Sequence, residues 1–187
     1  MYAYMDKYGI LHGPVSKPKS RSSWPLIEVG ANYDPQLERR SGPVLSLDGD
    51  VVTATYTVTP IPLLELQEAK CKEVDAKRDQ LIAAGVPYEF NGIPGTVQTR
   101  SLEDHRNIQA NASAAQMYLM AGHPDAPMQF RDMENVVHSL TAQQMLDMCA
   151  YVMGHGQGLY ATSWALKDAI RALDAAAVLA YDTQEGW

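Results

Sequence analysis

The strongest constraint on the fold is a helical repeat near the C-terminal end of the sequence. Eleven positions between residues 145 and 180 follow one another at alternating spacings of four and three residues, and nine of the eleven are apolar. They are Met145, Cys149, Val152, Gly156, Leu159, Ser163, Leu166, Ile170, Leu173, Ala177 and Ala180. An unbroken helix over residues 142–180 would carry this apolar seam for roughly 60 Å, at about 1.5 Å per residue. One small domain cannot cover such a length, so the pattern predicts either a break in the helix or contact with another subunit.

We expect seven apolar residues of this seam to lie at an interface with another subunit or a partner protein. They are Met145, Cys149, Val152, Leu159, Leu166, Ile170 and Leu173.

A glycine-rich run, Gly154-His155-Gly156-Gln157-Gly158, interrupts the seam. Each glycine costs about 1 kcal/mol relative to alanine inside a helix, so we expect a kink or a break there. The run has no lysine of the phosphate-loop kind and does not follow a strand, so it matches no phosphate-binding motif. His155 could serve as a general base, but a bend that brings two helices close together is the favoured interpretation.

The first sixty residues look β-rich. Tyr2–Met5 and Ile10–His12 flank Asp6-Lys7-Tyr8-Gly9, which has the Asp and Gly that a hairpin turn favours. A short apolar stretch over residues 25–29 indicates a further strand. The segments on either side of it are rich in Gly, Pro and polar residues and predict loops over residues 13–24 and 32–43.

The clearest strand signal is Val44–Leu47 followed by Val51–Val58, with Asp48-Gly49-Asp50 between them. In the second strand apolar residues alternate with Thr53, Thr55 and Thr57, so one face is apolar and the other carries hydroxyls. Few large aliphatic residues occur before residue 60, so we expect this part not to be stable alone.

The middle of the chain predicts one helix from Leu63 to Ala84, with Pro62 before it and Gly85 as its C-terminal cap. Its heptad positions are only half apolar, so a connecting helix packed on something else is favoured over a coiled coil.

Beyond Gly85 a hairpin-then-helix pattern occurs twice. Tyr88–Ile93 predicts a hairpin about Asn91-Gly92, and Ser101–Asp104 predicts a capping box that opens a helix. A second hairpin is predicted with Arg131–Glu134 as its turn, and Thr141–Gln144 predicts a second capping box. The sequence therefore predicts an α+β fold with a small β-rich N-terminal part (1–60), a linking helix (61–85) and a C-terminal helical domain (86–187) that has two short β-hairpins and a long terminal helix.

The charge distribution argues against nucleic acid as a partner. The net charge is −7, and all of it falls in residues 63–187, because residues 1–62 carry six basic and six acidic side chains. The one loose basic cluster, Lys17, Lys19 and Arg21, is interpreted as a solvated loop. No apolar run approaches the roughly 20 residues that span a bilayer, so we expect no membrane contact.

The residue types that carry catalysis or bind metals show no matching pattern. The two cysteines indicate reduced thiols rather than a disulfide framework. The five histidines lie at 12, 105, 123, 138 and 155, and no pair has metal-ligand spacing. Glu103-Asp104-His105 sets acids beside a histidine, but at a helix start, where acids are expected for capping. We therefore predict no catalytic residues, no metal site and no cofactor.

From about residue 75 onward the sequence resembles a C-terminal domain of unknown function of tail-fibre and tail-fibre-assembly proteins in tailed phages. The matching segments are Lys77–Ile82, Tyr88–Gly92, Val97–Thr99, Ser101–Ala115, Met128–Phe130, Leu140–Ala142 and Trp164–Ile170. The chain departs from that pattern in its Gly154–Gly158 run, and it has no long fibrous repeat, so it is too short to be a fibre shaft.

The resemblance implies a non-enzymatic structural component of a phage tail, at the baseplate or beside a tail fibre, made in the host bacterial cytoplasm and located in the virion. The implied partners are other phage tail proteins, together with copies of the chain itself in a homo-oligomer, with a trimer as the form that fits fibres. An assembly chaperone for the tail fibre is the alternative. A tail-associated cell-wall hydrolase is a third, weaker hypothesis.

Overall fold

A computed structural model describes residues 1–6, 10–16, 23–30 and 32–187 of the 187-residue chain. The fold is α+β, as the sequence predicts. The chain divides into two compact units, Met1–Leu66 and Gln67–Trp187. The boundary falls within the linking helix, so most of that helix belongs to the second unit.

The first unit is built on one five-stranded mixed sheet. Its strands are β1 (Tyr2–Met5), β2 (Leu11–Val15), β3 (Ser23–Val29), β4 (Glu38–Asp48) and β5 (Val51–Pro60). Their order across the sheet is β2-β1-β3-β5-β4, and every neighbouring pair is antiparallel except β3 with β5. The predicted β1–β2 and β4–β5 hairpins are confirmed; the first turn (7–9) and the basic cluster at 17, 19 and 21 lie outside the described residues.

The predicted loop over residues 32–43 is wrong from residue 38 onward. Glu38–Ser41 pairs with Thr57–Pro60, and the register shifts between Ser41 and Val44 before pairing continues. A β-bulge at Gly42-Pro43 explains the difference, because it lets the ladder resume after residues that cannot join it. The predicted loop over 13–24 is also too long, since β2 reaches Val15 and β3 begins at Ser23.

Helices and two hairpins make up the second unit. They are α1 (Leu63–Ala83, which begins in the first unit), β6 (Val86–Phe90), β7 (Ile93–Val97), α2 (Leu102–Met120), β8 (Pro127–Arg131), β9 (Val137–Thr141), α3 (Ala142–Arg171) and α4 (Ala175–Ala180). Both hairpins are confirmed as isolated two-stranded sheets, β6–β7 and β8–β9.

Local turn and cap chemistry fixes where these elements start. Asn91 and Gly92 take φ values of +52° and +84°, the left-handed pair that a two-residue hairpin turn requires. The two predicted capping boxes are present, at Ser101 for α2 and at Thr141 for α3.

The expected break in the terminal helix is wrong. Helix α3 runs without interruption through Gly154–Gly158 and ends at Arg171. The helix ends there because Asp174 caps a new helix, its side chain accepting a hydrogen bond from the N–H of Ala177. The expected close helix contact is wrong too, since no described neighbouring atom lies within 4 Å of a Cβ added at Gly154, Gly156 or Gly158.

The core of the second unit lies between the two hairpins, α2 and the first half of α3. It is a cluster of buried apolar residues: Val86, Phe90, Val97, Ile108, Ala115, Phe130, Leu140, Ala142, Met145, Met148, Cys149 and Val152. Burial of this face explains why α3 tolerates three glycines, since tertiary packing outweighs helix propensity.

Candidate functional site

The seven residues predicted for an interface lie along α3 and the segment just after it, but the chain itself covers most of them. Met145, Cys149, Val152 and Ile170 are buried, whereas Leu159, Leu166 and Leu173 are half-buried. At the four buried positions the chain itself covers the seam, so no other subunit is needed there. The assignment of the seven residues to an interface stays a prediction.

A cavity of about 270 Å³ lies beside Gly156 in the second unit. The ends of α1 and β6, the first turns of α2 and the middle of α3 surround it. Six apolar side chains form its walls: Ile82, Val86, Ile108, Val152, Met153 and Leu159. Polar side chains of α2 and α3 complete the lining: His105, Gln109, His155, Gln157 and Tyr160. Sequence reasoning singled out the glycine run but could not find the cavity, because its walls come from four separate segments.

Two hydrogen bonds fix the cavity wall where α1 and α2 approach each other. The hydroxyl of Thr99 donates to the carbonyl of Ile82 at the end of α1. The Nε2 atom of His105 lies 2.8 Å from the carbonyl oxygen of Thr99. Because a carbonyl oxygen only accepts, Nε2 is the donor in this contact, and Nδ1 makes no hydrogen bond within the described residues. The wall is therefore built by backbone acceptors and leaves one ring nitrogen of His105 without a role in the fold.

A buried acid–histidine pair, Asp132 and His138, ties the β8–β9 turn to the β6–β7 hairpin. Oδ2 of Asp132 lies 2.8 Å from Nε2 of His138, and Oδ1 accepts from the N–H of Val136 at 2.8 Å. The ring of Phe90 stacks on His138 with its centroid 3.9 Å away. Both members of the pair are at least 96% buried, so no substrate reaches them.

Electrostatics explain why the Asp132 carboxyl group is ionised. Burial acts to raise the pKa of Asp132, but hydrogen bonds from His138 and from the N–H groups of Val136 and Glu134, with the attraction of His138, outweigh it and hold the pKa below its usual value. The acid is therefore ionised and structural. Sequence reasoning missed this pair; its signal was an acid inside the predicted Arg131–Glu134 turn and a histidine in the strand that follows the turn.

The acids beside His105 do what helix capping predicts. Asp104 accepts a hydrogen bond from the N–H of Ser101, and the hydroxyl of Ser101 accepts from the N–H of Asp104. Within residues 1–6, 10–16, 23–30 and 32–187, no three His, Cys, Asp or Glu side chains group in a way that could hold a metal ion. The Cys149 thiol is not reactive, because burial raises its pKa to about 11.

An ion cluster joins α1 to the second half of α3. Asp75 accepts from Lys167 at 2.7 Å and from Arg78 at 2.6 Å, and the Arg78 guanidinium lies 4.8 Å from the centroid of the Tyr160 ring. The hydrogen bond from Lys167, followed by the charges of Lys167 and Arg78, lowers the pKa of Asp75 against the effect of burial. These contacts hold Tyr160 at the edge of the cavity.

Five side chains of β3, β4 and β5 lie on one face of the first unit's sheet, which we call the open sheet face: Ile27, Val29, Val44 and Thr55, which are exposed, and Thr53, which is half-buried. Cross-strand partners place Val29, Thr55 and Val44 in one row and Ile27 and Thr53 in the next. Exposure reaches 54% for Ile27, 49% for Val29 and 70% for Val44. The five side chains carry no charge. The hydroxyls of β5 lie on one face, as the alternation predicts, and apolar side chains of β3 and β4 lie beside them.

Within the described part of the chain, no helix combines the length and the apolar character needed to cross a membrane. Neither curated proteins nor solved structures gave a match to the chain. A family model does match, over residues 65–184, from the first turn of α1 to the segment after α4, and it covers well over half of the chain. The chain therefore belongs to the family described as Domain of unknown function (DUF4376).

Proposed function

We propose that the chain is a non-enzymatic structural component of a phage tail, at the baseplate or beside a tail fibre, and acts through protein–protein contacts. The phage assignment rests on the resemblance of residues 75–170 to tail-fibre and tail-fibre-assembly proteins. The open sheet face is the single observation that supports contact with another protein. On this proposal the chain resides in the virion tail, with other tail proteins and further copies of itself as its neighbours.

The open sheet face supports a docking role because the first unit buries so little of its own apolar surface. Among its described residues the buried apolar side chains are only Ala3, Val52, Ala54 and Leu66. Ile27 and Val29 on β3 and Val44 on β4, the two strands that flank β5, remain about half exposed or more. Full burial of an exposed side chain of this size contributes about 1.5–3 kcal/mol, and these three are already partly buried. A partner that covers the exposed half of each would therefore gain roughly 2–5 kcal/mol in total.

The polar groups that could suggest an enzyme already have structural partners. Asp132 and His138 hold a turn, and Asp104 caps a helix. A cell-wall hydrolase would need an acid poised in a cleft; Glu103, the exposed acid of the α2 first turn, is the one to test. On the present proposal zymogram activity is absent, and activity lost on Glu103→Gln would contradict it.

The proposal is tested by quantitative mass spectrometry of purified particles from the phage that encodes the chain. We expect the chain at a fixed ratio to known tail proteins. Complete absence from particles, with the chain present in the infected-cell lysate, would instead support the assembly chaperone.

A variant pair connects this test to the open sheet face. Val44→Lys places a charge on the most exposed apolar side chain of the face, on the edge strand β4, and should reduce incorporation into particles at least tenfold. Asn32→Lys adds the same charge at an exposed loop residue outside the face and should leave incorporation unchanged. Equal incorporation of both variants would contradict docking through this face.

A further inference from the structure

We propose that two copies of the chain form a two-fold symmetric dimer in which their α3 helices pack antiparallel through one outer face. The inference goes beyond the proposed function and does not depend on it, because neither the open sheet face nor a phage origin enters into it. The outer face consists of exposed residues on the side of α3 that is turned away from the core: Ala150, Tyr151, Met153, Gly154, Gly158, Ala161, Trp164 and Ala165.

The outer face lacks the charged side chains that the solvent side of a helix usually carries. Residues 148–166 contain no Asp, Glu, Lys or Arg over five turns, although residues 63–187 carry nine basic and sixteen acidic side chains. Large apolar side chains are exposed there instead: Tyr151 is 53% exposed, Met153 45% and Trp164 60%. Depletion of charge together with exposed Tyr, Trp and Met is the composition that protein interfaces have at their centre.

This face is distinct from the seam that the sequence predicts as an interface. Met145, Cys149 and Val152 of the seam are buried in the core of the second unit. Ala150 and Gly154, on the other side of the same helix, are exposed. The outer face is therefore the part of α3 that the chain leaves open to a partner.

The order of residues along the outer face has a symmetry that suits a second copy. Its midpoint lies between Gln157 and Gly158. Three pairs of residues lie at equal distances on either side of that point: Ala150 and Ala165, Gly154 and Ala161, and Asp147 and Asp168. In a two-fold dimer one surface contacts its own copy, so a contact of residue i with j occurs again as j with i. An antiparallel pair centred at this point therefore places small side chains opposite small side chains, which lets the two helices approach closely.

Charges at the two ends of the face favour the antiparallel arrangement over the parallel one. Asp147 lies at one end and Arg171 just beyond the other, and both are exposed. Arg171 pairs with Asp168 at 2.9 Å, and its guanidinium has five N–H donors, so it can bind a second acid as well. An antiparallel pair brings Asp147 of each copy to the end of α3 that carries Arg171 in the other. A parallel pair would set like charges against each other, which is unfavourable.

The size of the face predicts a weak, reversible dimer. The helix from Asp147 to Asp168 is about 32 Å long and about 10–12 Å wide. At the level of Trp164 the second copy presents Tyr151 and Met153, so large apolar side chains flank the small ones. With these side chains included, the pair would bury roughly 1,000 Å², which is the lower limit for a specific interface.

Sedimentation equilibrium of the full chain tests the dimer, at concentrations between about 1 and 200 µM because a small interface gives weak affinity. We expect a monomer–dimer equilibrium. Ala161→Arg puts a charge near the middle of the outer face and should weaken dimerisation at least tenfold. Ala76→Arg, at an exposed position of α1 outside the face, is the matched control and should leave the dissociation constant unchanged. A monomer at every concentration, a trimer, or equal constants in the two variants would overturn the proposal.

Single cysteines test the arrangement of the helices, and they also decide the matter if Ala161→Arg does not fold. In a Cys71→Ser background, Gly158→Cys lies next to the two-fold axis and should form a disulfide-linked dimer under mild oxidation. Ala150→Cys should not link to itself, since its two copies would lie about 22 Å apart along the helices, but it should link to Ala165→Cys in a mixture. Linkage of Ala150→Cys to itself, or none through Gly158→Cys, would overturn the antiparallel dimer.

A charge exchange tests the contact at the ends of the face. Arg171→Asp should weaken dimerisation at least fivefold, and the further change Asp147→Arg should restore most of the affinity. Arg106→Asp, at an exposed arginine of α2, controls for the change in net charge and should alter the dissociation constant less than twofold. A double variant that dimerises no better than Arg171→Asp alone would overturn the contact between Asp147 and Arg171.

Discussion

At the scale of single residues, Asp132 is the group on which the most contacts depend. Its Oδ1 accepts a hydrogen bond from the N–H of Val136, and its Oδ2 is hydrogen-bonded to Nε2 of His138. Its backbone carbonyl accepts a hydrogen bond from the side chain of Gln98 at 3.2 Å. One residue thus connects the β8–β9 turn to the strand β7 side of the other hairpin. Removing one partner of a buried charged pair leaves the other uncompensated, so such pairs are costly to break.

We expect Asp132→Ala to lower the free energy of unfolding at pH 7 by about 3–5 kcal/mol. Urea denaturation followed by circular dichroism measures it. Asp125→Ala, at an exposed acid, is the control and should change stability by less than about 0.5 kcal/mol. A loss at Asp132 no larger than at Asp125 would contradict a structural role for the pair.

The pH dependence follows from the lowered pKa of Asp132. A carboxyl group whose pKa is lower in the folded than in the unfolded chain stabilises the fold above its unfolded pKa, about 3.9. That contribution is lost as the pH falls through the lower, folded-state pKa. The stability difference between the unaltered chain and Asp132→Asn should therefore shrink as the pH falls below about 4.

Gly95 makes room for this carboxylate. A Cβ there would lie 2.6 Å from Oδ2 of Asp132 and 3.0 Å from Cε2 of Phe90. Gly95→Ala should therefore cost about 1–3 kcal/mol of unfolding free energy. In a double-mutant cycle the cost should fall when Asp132 is already alanine; additive costs would show that the two sites do not touch.

At the scale of elements, α3 shows what local sequence can and cannot reveal. Its start was predictable because Thr141 and Gln144 cap it through neighbouring groups. The end at Arg171 was missed, since the repeat continues through residue 180 and only the cap at Asp174 divides it. The unbroken glycine run was missed because packing against distant residues sustains the helix there.

For the other elements and the cavity too, features set by neighbouring residues were predictable and features set by distant residues were not. Hairpin turns at Gly49 and at Asn91-Gly92 follow from φ values that few residues adopt, so sequence alone predicted them. The strand before Pro43 depends on pairing with Thr57–Pro60 across the sheet, which no local pattern reports. The cavity could not be predicted, because it is a space that residues from α1, β6, α2 and α3 enclose together.

Replacing the outward-facing Gly154 or Gly158 of α3 should stabilise the fold. Gly154→Ala and Gly158→Ala should each raise the free energy of unfolding by up to about 1 kcal/mol, since the helix is continuous and the added methyl meets no neighbour. Thermal melts measure the effect. Gly186→Ala is the control and should destabilise, because Gly186 has a φ of +85°. Destabilisation at 154 or 158 would mean that the helix is not continuous there.

At the scale of the whole molecule, the two units differ in how much apolar surface they bury. The second has a contiguous core of twelve buried residues. Among the described residues of the first, only four apolar side chains are buried, and two of them are the alanines Ala3 and Ala54. Stability of the chain should therefore reside mainly in the second unit.

Fragments test this asymmetry. A fragment of residues 61–187 should keep a cooperative thermal transition, because it retains all of α1 and the whole core. A fragment of residues 1–60 should show no cooperative transition at any temperature, since few large apolar groups are buried there. A cooperative thermal transition of the 1–60 fragment would contradict the inference if the fragment is a monomer. Analytical ultracentrifugation of the same sample measures whether it is.

Strand β3 has a consequence for how the first unit reaches its native state. It is the strand that joins the β1–β2 pair to the β4–β5 pair, antiparallel on one side and parallel on the other. The β4–β5 hairpin can form in microseconds. The parallel pairing of β3 with β5 is slower, because it joins segments distant in sequence and a larger loop must close first. Until β3 is captured, β1 and β5 each expose an unsatisfied edge, and that interval is when newly made chains are most prone to stick to one another.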